Sequence, residues 1–198
     1  MSKSIIVISG PSGAGKSTVY ESILKEFPQL SLSISATTRK IRKGETNGEH
    51  YYFLSENEFK QKIEKGEFLE YEEVYPGKFY GTLYNEIDRI TNLGKIPLLE
   101  VEVKGALNVK KFFPERAFLI FIAPPSFEVL EERLRKRNTE TEEGLKIRLA
   151  RAKYELSQSK RFNVIIENDK LSATLEKANE IVRETFSDTK EIREKQKN

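Results

Sequence analysis

The residues best suited to chemistry lie near the N-terminus, in the stretch GPSGAGKS at residues 10–17. It matches GxxxxGK[ST], the pattern of a loop that wraps a chain of phosphates. Glycines let the backbone curve around the anion, and N–H groups at the start of the following helix point toward it. Lys16 is placed to reach the terminal phosphates, and the Ser17 hydroxyl is suited to Mg²⁺. The stretch therefore predicts a nucleotide-binding site.

Phosphate loops serve switches, motors and kinases. A GTPase switch reads guanine through Asn-Lys-x-Asp, which this sequence lacks, and its nearest match to Asp-x-x-Gly is the weak EVKG at residues 102–105. Motor ATPases generally need more chain than 198 residues. The length therefore favours a small-molecule kinase, in which one insertion grips the acceptor and another closes over the donor.

A second basic stretch, at residues 37–53, carries Arg39 and Arg42 three positions apart in a turn-rich segment that also contains Tyr51. A forked guanidinium matches two oxygens of a phosphate monoester. Arginines in a charged loop are, however, usually solvated surface. These residues alone leave a phosphate site and a plain surface loop both open.

Composition limits the remaining chemistry. The chain has 34 basic and 31 acidic residues, and its net charge of +3 is too small to indicate nucleic-acid binding. It has no cysteine and one histidine, His50, which excludes disulfides, thiol nucleophiles and multi-histidine metal sites. The apolar run after the N-terminus is too short for a signal peptide or a membrane span. We expect a cytoplasmic enzyme without nucleic-acid or membrane partners, and the sequence leaves protein partners open.

Strands and helices alternate along most of the chain. Apolar runs predict strands at residues 5–8, 96–103, 117–123 and 163–167. Helices are predicted between them, at residues 15–27, 84–92, 105–113 and 171–186. This alternation predicts a parallel sheet covered by helices on both faces, an α/β/α arrangement in three layers.

Two stretches break the alternation. Residues 33–83 hold short alternating segments around one helix, which Ser55 and Glu58 would begin as a capping box and Gly66 would end. Residues 126–158 are almost entirely helical and rich in arginine. We expect a small mixed α+β insertion at 33–83, a helical segment at 126–158, and a core made of 1–32, 84–125 and 159–198.

Several motifs in order resemble those of guanylate kinases. Residues 37–53 match the acceptor-site pattern T-[ST]-R-x-x-R-x-G-E-x-x-G-x-x-Y-x-F of that family. The other matching motifs are ISGPSGAGKS, FIAPPS at 121–126, RNTETEE at 137–143 and the pair Asn168-Asp169. The resemblance covers nearly the whole chain, about residues 3–186. It implies a P-loop NTPase fold with a GMP-binding insertion and a helical lid, and transfer of the ATP γ-phosphoryl group to GMP, and to dGMP as well, with Mg²⁺, in purine metabolism.

The resemblance also implies a role for each matching residue. The ATP-binding residues would be Gly10, Pro11, Ser12, Gly13, Ala14, Gly15, Lys16, Ser17, Thr18 and Asn168, with Ser17 as the Mg²⁺ ligand. The GMP phosphate would be held by Arg39, Arg42, Tyr51 and Tyr80. The base would be read by Ser35, Glu70 and Thr82, and Glu100 would also contact GMP. The catalytic cations would be Lys16, Arg39 and the lid arginines Arg133, Arg137 and Arg148.

The chemistry of guanine supports the role of Glu70 independently. Guanine presents N1–H and a 2-amino group on one edge, so one carboxylate can accept from both. Adenine lacks both donors and would leave a buried carboxylate unpaired, which a specific site rejects by several kcal/mol. At the end of the strand predicted at 96–103, Glu100 and Glu102 stand where the family has aspartates. Their longer side chains extend the carboxylates outward by about 1.5 Å.

Two alternatives belong to other classes. One is a nucleoside monophosphate kinase for another base, which the combination of Ser35, Glu70 and Thr82 disfavours. The other is a non-catalytic guanylate-kinase-like module that binds protein partners. Such modules typically lose a working phosphate loop, whereas Lys16, Ser17 and the lid arginines are all present.

Overall fold

The computed structural model describes residues 4–136 and 142–195. The described strands are β1 (Ile5–Ser9), β2 (Leu30–Leu32), β3 (Ala36–Thr37), β4 (Tyr52–Phe53), β5 (Phe68–Tyr75), β6 (Lys78–Leu83), β7 (Ile96–Glu100), β8 (Ala117–Ala123) and β9 (Val164–Glu167). The described helices are α1 (Lys16–Glu26), α2 (Glu56–Glu64), α3 (Tyr84–Asn92), α4 (Val103–Phe112), α5 (Phe127–Lys136), α6 (Glu142–Ser157) and α7 (Leu171–Lys195). Across both ranges, no helix combines the length and apolarity needed to cross a membrane.

The central sheet is parallel throughout, in the order β2-β7-β1-β8-β9. Alternate residues of β1 point to opposite faces. Ile6 and Ile8 pack in the core layer under α1 and α7, whereas Ile5 and Val7 pack in the layer under α3 and α4. Both faces are therefore covered, which explains why the strand reads as a continuous apolar run. The predicted three-layer α/β/α fold is confirmed.

The insertion has its own four-stranded sheet, in the order β4-β3-β6-β5. Its small core centres on Phe59 of α2, which is fully buried and stacks on Phe68 with ring centroids 4.3 Å apart. The predicted capping box is present at the start of α2, since the Ser55 side chain accepts from the Glu58 N–H and the Glu58 side chain accepts from the Ser55 N–H.

A buried carboxylate links the insertion to the core. Glu86, in the first turn of α3, is 1% exposed and accepts hydrogen bonds from the Ile34 N–H (2.8 Å) and the Tyr52 hydroxyl (2.7 Å). Arg89, on the same helix, forms a forked ion pair with it. A charge this buried requires several partners. Because these partners come both from the insertion and from α3, Glu86 restrains the insertion where the chain enters and leaves it.

The structure differs from the predicted elements at several places, which include the end of α7, predicted at residue 186 and found at Lys195. Strand β2 was not predicted, because three residues (LSL) are too short to show a periodic pattern. The strand predicted at 96–103 ends at Glu100, and α4 begins at Val103 rather than at Gly105. The reason is Glu102, whose extended backbone (φ −65°, ψ 159°) places it as the N-cap of α4. The segment 126–158 contains α5 and α6, and Arg137 lies outside the described residues.

We predict that Phe59→Ala lowers the free energy of unfolding by about 3–5 kcal/mol, because it removes a fully buried ring from a small core. Urea unfolding followed by circular dichroism measures the change. Ser55→Ala, which removes only the cap of the same helix, serves as the reference and should cost about 1 kcal/mol. Equal losses in the two variants would contradict the role assigned to Phe59.

Candidate active site

The backbone geometry of the phosphate loop requires glycine at three positions. Gly10, Gly13 and Gly15 have φ angles of 144°, 88° and 92°, which residues with side chains rarely adopt. A Cβ at Gly10 would lie 2.2 Å from the carbonyl oxygen of Ile122, and a Cβ at Gly15 would lie 2.2 Å from Nδ2 of Asn168. The loop thus follows a path that only glycine permits. It leads into α1, where the N–H groups of the first turn lack intrahelical partners and are suited to an anion.

Lys16 lies across the mouth of this loop. Its Nζ donates to the carbonyl oxygen of Gly10 (2.8 Å) and lies 3.8 Å from Oε1 of Glu100. Ser17 and Thr18 follow in the first turn of α1 and are exposed. The positive end of the helix dipole is located here, so the loop, the ammonium and the helix start together form a site for a polyphosphate.

The loop is tied to the lid at two points. The buried Asn168 donates from Nδ2 to the Ala14 carbonyl oxygen (2.8 Å), and its own carbonyl oxygen accepts from Arg133 of α5 (2.9 Å). Arg148 of α6 donates to the hydroxyl of Ser12 (3.0 Å). Of the predicted lid arginines, Arg148 therefore contacts the loop directly, and Arg133 is linked to the loop through Asn168.

A cavity of about 240 Å³ opens beside the loop, between the core, the insertion and the lid. Among the residues predicted for the site, those that line it are Ser12, Ser35, Tyr51, Glu70, Tyr80, Glu100 and Arg148. These residues come from positions between 12 and 148 of the chain, so the fold brings this part of the predicted set to one space. Lys16, Arg39, Arg42 and Arg133 are not among the residues that line the cavity. Thr82 lies behind the cavity wall and is fully buried.

Glu70 is held in the cavity by the pairing of β5 with β6. It lies directly opposite Thr82 in the antiparallel ladder and accepts a hydrogen bond from the Thr82 hydroxyl (2.8 Å). The carboxylate fits against α4 only because residue 105 is glycine, since a Cβ there would lie 2.3 Å from its Oε2. Burial raises the pKa of Glu70 to about 7, the Thr82 hydrogen bonds oppose this rise, and the charges of Glu102 and Glu72 add to it.

The predicted phosphate-binding arginines are organised by an acid. Arg39 forms a forked ion pair with Glu45, with N–O distances of 2.6 and 2.5 Å, and its guanidinium lies over the ring of Tyr51, 4.8 Å from the centroid. The Arg42 N–H donates to the same carboxylate (2.7 Å), while Arg42 itself is exposed. The Arg39 hydrogen bond lowers the pKa of Glu45 to about 2. Tyr80 completes the cluster, with its ring 6.2 Å from that of Tyr51.

Three further residues line the cavity that sequence reasoning missed: Glu72, Arg151 and Glu155. Glu72 lies two positions after Glu70 on β5, so both side chains point to the same face. Arg151 and Glu155 follow Arg148 by three and seven positions on α6, which places them on one face of the helix. These spacings were visible in the sequence, but only the fold shows that both faces meet at the cavity.

The fold and the site together define a P-loop phosphotransferase with a donor loop, an acceptor cavity and arginines between them. Comparison with known proteins gives the particular family. The guanylate kinase family model matches residues 2–185. The guanylate kinase of Chlorobium chlorochromatii is 49% identical over 172 residues, which cover 87% of this chain and 90% of that one. That of Salinibacter ruber is 43% identical over 185 residues, 93% of this chain and 98% of the other.

A solved structure agrees. The crystal structure of guanylate kinase from Anaplasma phagocytophilum has a TM-score of 0.72 and 32% sequence identity, and the match covers 92% of this chain and 85% of that chain. The chain belongs to the guanylate kinase family, the enzymes that transfer a phosphoryl group from ATP to GMP.

We predict that Gly105→Ala impairs use of GMP without weakening α4. The added methyl group would displace the Glu70 carboxylate, whereas alanine is otherwise preferred over glycine inside a helix by about 1 kcal/mol. The KM for GMP should rise about tenfold or more, the effect of losing a charged hydrogen bond, with the KM for ATP unchanged. Steady-state kinetics measures both. Asn108→Ala, on the exposed side of α4, is the matched control, and an equal effect there would refute the steric explanation.

Proposed function

We propose that this site transfers the γ-phosphoryl group of ATP to GMP, and to dGMP as well, in the cytoplasm. The observation that carries the proposal is the buried Glu70 carboxylate, which lines the same cavity as Ser12 of the phosphate loop. A buried carboxylate needs donors from its ligand, and the guanine edge supplies two. Arg148, one of the cations proposed for the transfer, lines the same cavity, and phosphoryl transfer requires cations around the transferring group.

On the donor side, residues 10–18 hold the ATP phosphates through backbone N–H groups, and Lys16 binds the terminal phosphates. Lys16 donates to the Gly10 carbonyl oxygen in this structure, so its ammonium is already directed across the loop. Arg148 contacts the loop through Ser12, and Arg133 is linked to it through Asn168. Both arginines are proposed to neutralise charge on the transferring group. Arg137 is proposed to join them, although it falls outside the described residues.

On the acceptor side, Arg39, Arg42, Tyr51 and Tyr80 hold the GMP phosphate. Arg39 keeps its orientation because Glu45 engages both of its terminal nitrogens. The base is read at the other end of the cavity, where Glu70 accepts from N1–H and the 2-amino group. The remaining acceptor contacts are assigned to Ser35, Thr82 and Glu100.

The reaction is an in-line displacement. An oxygen of the GMP phosphate attacks the γ-phosphorus of ATP, the bond between that phosphorus and the β–γ bridging oxygen breaks, and GDP and ADP are formed. No side chain acts as a nucleophile. The protein orients the two substrates, excludes water and stabilises the charge with Lys16 and the arginines.

The residues present suit a Mg²⁺ ion that arrives with ATP. Ser17 offers one hard oxygen donor at the exposed start of α1. In the described ranges, no group of three or more His, Cys, Asp and Glu side chains forms a metal cage. In nucleotide sites Mg²⁺ usually takes few protein ligands, and phosphate and water oxygens complete its coordination. When bound, the ion would offset negative charge on the ATP phosphates.

A coupled ADP-release assay tests the function directly, with GMP, dGMP, AMP, CMP, UMP and dTMP as acceptors at fixed Mg-ATP. We expect turnover with the two guanine nucleotides far above that with the others. Preference for an adenine or pyrimidine nucleotide would identify a kinase of other specificity. Binding of nucleotides without turnover would identify a non-catalytic module.

The insertion (33–83) and the lid (126–158) are proposed to close when both substrates bind, so X-ray scattering should show compaction.

Glu70→Gln is predicted to lower kcat/KM for GMP about 100-fold, because an amide cannot accept both guanine donors as a carboxylate does. The KM for ATP should change by less than about twofold, since the substitution leaves the phosphate loop intact. Initial-rate kinetics with each substrate varied in turn separates the two effects. Wild-type GMP kinetics in this variant would remove Glu70 from the base-binding site.

A dependence on pH is predicted from the same group. Because the pKa of Glu70 is raised to about 7, a fraction of the free enzyme carries a protonated Glu70 near neutrality, and this fraction grows as the pH falls. The kcat/KM for GMP should therefore rise with pH through about 7. The GMP phosphate also titrates, near pH 6, and Glu70→Gln serves as the control that retains only this second titration. Identical pH profiles for the two proteins would contradict the assignment.

A further inference from the structure

Arg151 joins three parts of the molecule at the wall of the acceptor cavity. Its Nη2 lies 3.1 Å from Oε2 of Glu72 in the insertion and 3.3 Å from Oε2 of Glu102 in the core. Its Nε donates to Glu155 on the same helix (2.9 Å), and its Nη1 donates to the carbonyl oxygen of Val74 (3.4 Å). The side chain is 23% exposed, so these contacts form in partly buried surroundings.

Two of these acids, Glu72 and Glu102, raise the pKa of Glu70. Their negative charges add to the effect of burial on its pKa, and Arg151 is the cation that contacts both. The charged and polar groups that line or adjoin this end of the cavity are Glu72 from β5, Tyr80 and Thr82 from β6, Glu100 from β7, Glu102 and Lys104 from the start of α4, and Arg148, Arg151 and Glu155 from α6. Lys104 also pairs with Glu72, at 3.5 Å, but its side chain is 59% exposed.

We propose that Arg151 is a positioning residue for guanine recognition, which pairs with Glu72 and Glu102 and so keeps the neighbouring base-reading carboxylate of Glu70 ready to accept. The inference rests on the proposed function. Arg151 does not touch the reacting phosphates. It acts through the two acids.

The physical reason is the balance of charge. An ionised Glu70 is needed to accept from both guanine donors, yet it is buried with two like charges close by. A cation paired with those charges lowers the cost of ionising it. Without Arg151, the unpaired charges of Glu72 and Glu102 would oppose ionisation of Glu70 more strongly, and a larger fraction of the enzyme would carry a protonated Glu70 at neutral pH.

Arg151 shares a face of α6 with a predicted lid arginine. It lies three residues after Arg148, which contacts the phosphate loop through Ser12. A single face of α6 therefore carries one arginine toward the donor phosphates and another toward the base end of the cavity.

The test compares Arg151→Met, which removes the charge and keeps the length of the side chain, with Arg151→Lys, which keeps the charge. Arg135→Met is the matched control, since Arg135 is an exposed arginine on the neighbouring lid helix that pairs only with Glu131 and Glu142 among the contacts described. GMP binding is measured by titration calorimetry without ATP, and kcat/KM for GMP is measured from pH 6 to pH 9.

For Arg151→Met we expect the midpoint of the GMP pH profile to move up by about one pH unit, which gives about fivefold weaker GMP binding at pH 7 and recovery at high pH. Arg151→Lys should restore most of the affinity, and Arg135→Met should behave as wild type. Combining Arg151→Met with Glu72→Gln should move the midpoint back, because one unpaired negative charge is removed with the cation. If Arg151→Met folds poorly, the pH profiles of this double variant and of Arg151→Lys are compared with that of the wild type instead.

A pH-independent loss of GMP and ATP use in equal proportion would show a merely structural role, and wild-type behaviour of all Arg151 variants would overturn the proposal. Either result is distinct from failure of the proposed function, because that failure appears in the wild-type protein as preference for another acceptor or as absence of turnover.

Discussion

The site depends on the meeting of four parallel strands at their carboxyl ends. β1 leads into the phosphate loop, β7 ends at Glu100, β8 supplies the carbonyl oxygen of Ile122 that Gly10 packs against, and β9 leads to Asn168. Because β1 is buried on both faces, the loop has no freedom to move sideways. In open α/β sheets, ligands bind in the crevice beyond the strand ends, and here the order of the strands concentrates the donor-site residues there.

The balance of charge inside the cavity also determines which ligands the site can accept. Five glutamates line it, and the positive charge comes chiefly from the lid, through Arg148 and Arg151. Burial raises the pKa of Glu100 as well as that of Glu70, although Lys16 opposes the effect at Glu100. The acidic part of such a cavity is suited to a neutral base that donates hydrogen bonds. Phosphates are favoured only near the lid and the phosphate loop, where the positive charges lie.

The parts of this protein that sequence reasoning reached are those with short, spaced signatures. The phosphate loop is such a part because Gly10, Gly15 and Lys16 must occur together to wrap an anion, and the α/β/α fold follows from long apolar runs separated by helices. The pairing of Arg39 with Glu45 was not predicted, since a motif with two arginines does not say which acid orients them. Arg151 was missed for a related reason: its partners are distant in sequence and meet it only in the folded chain.

The boundaries between helices and strands were harder to predict from the sequence. β2 is three residues long and is defined by its neighbour β7 rather than by its own sequence. Glu102 was read as the end of a strand because it follows an apolar run, but its extended backbone instead begins α4. In both cases tertiary contacts decide the local structure, and the local pattern alone is compatible with more than one outcome.

The ion pair between Arg39 and Glu45 has a consequence for how the acceptor phosphate is recognised. A bare arginine would attract any anion over a long range, whereas Arg39 is already compensated by a neighbouring carboxylate and contributes little net field. Its remaining N–H donors act at short range and in fixed directions. With Arg39 in its proposed role, recognition of the acceptor phosphate would depend more on the geometry of the phosphate oxygens than on the total charge of the ligand.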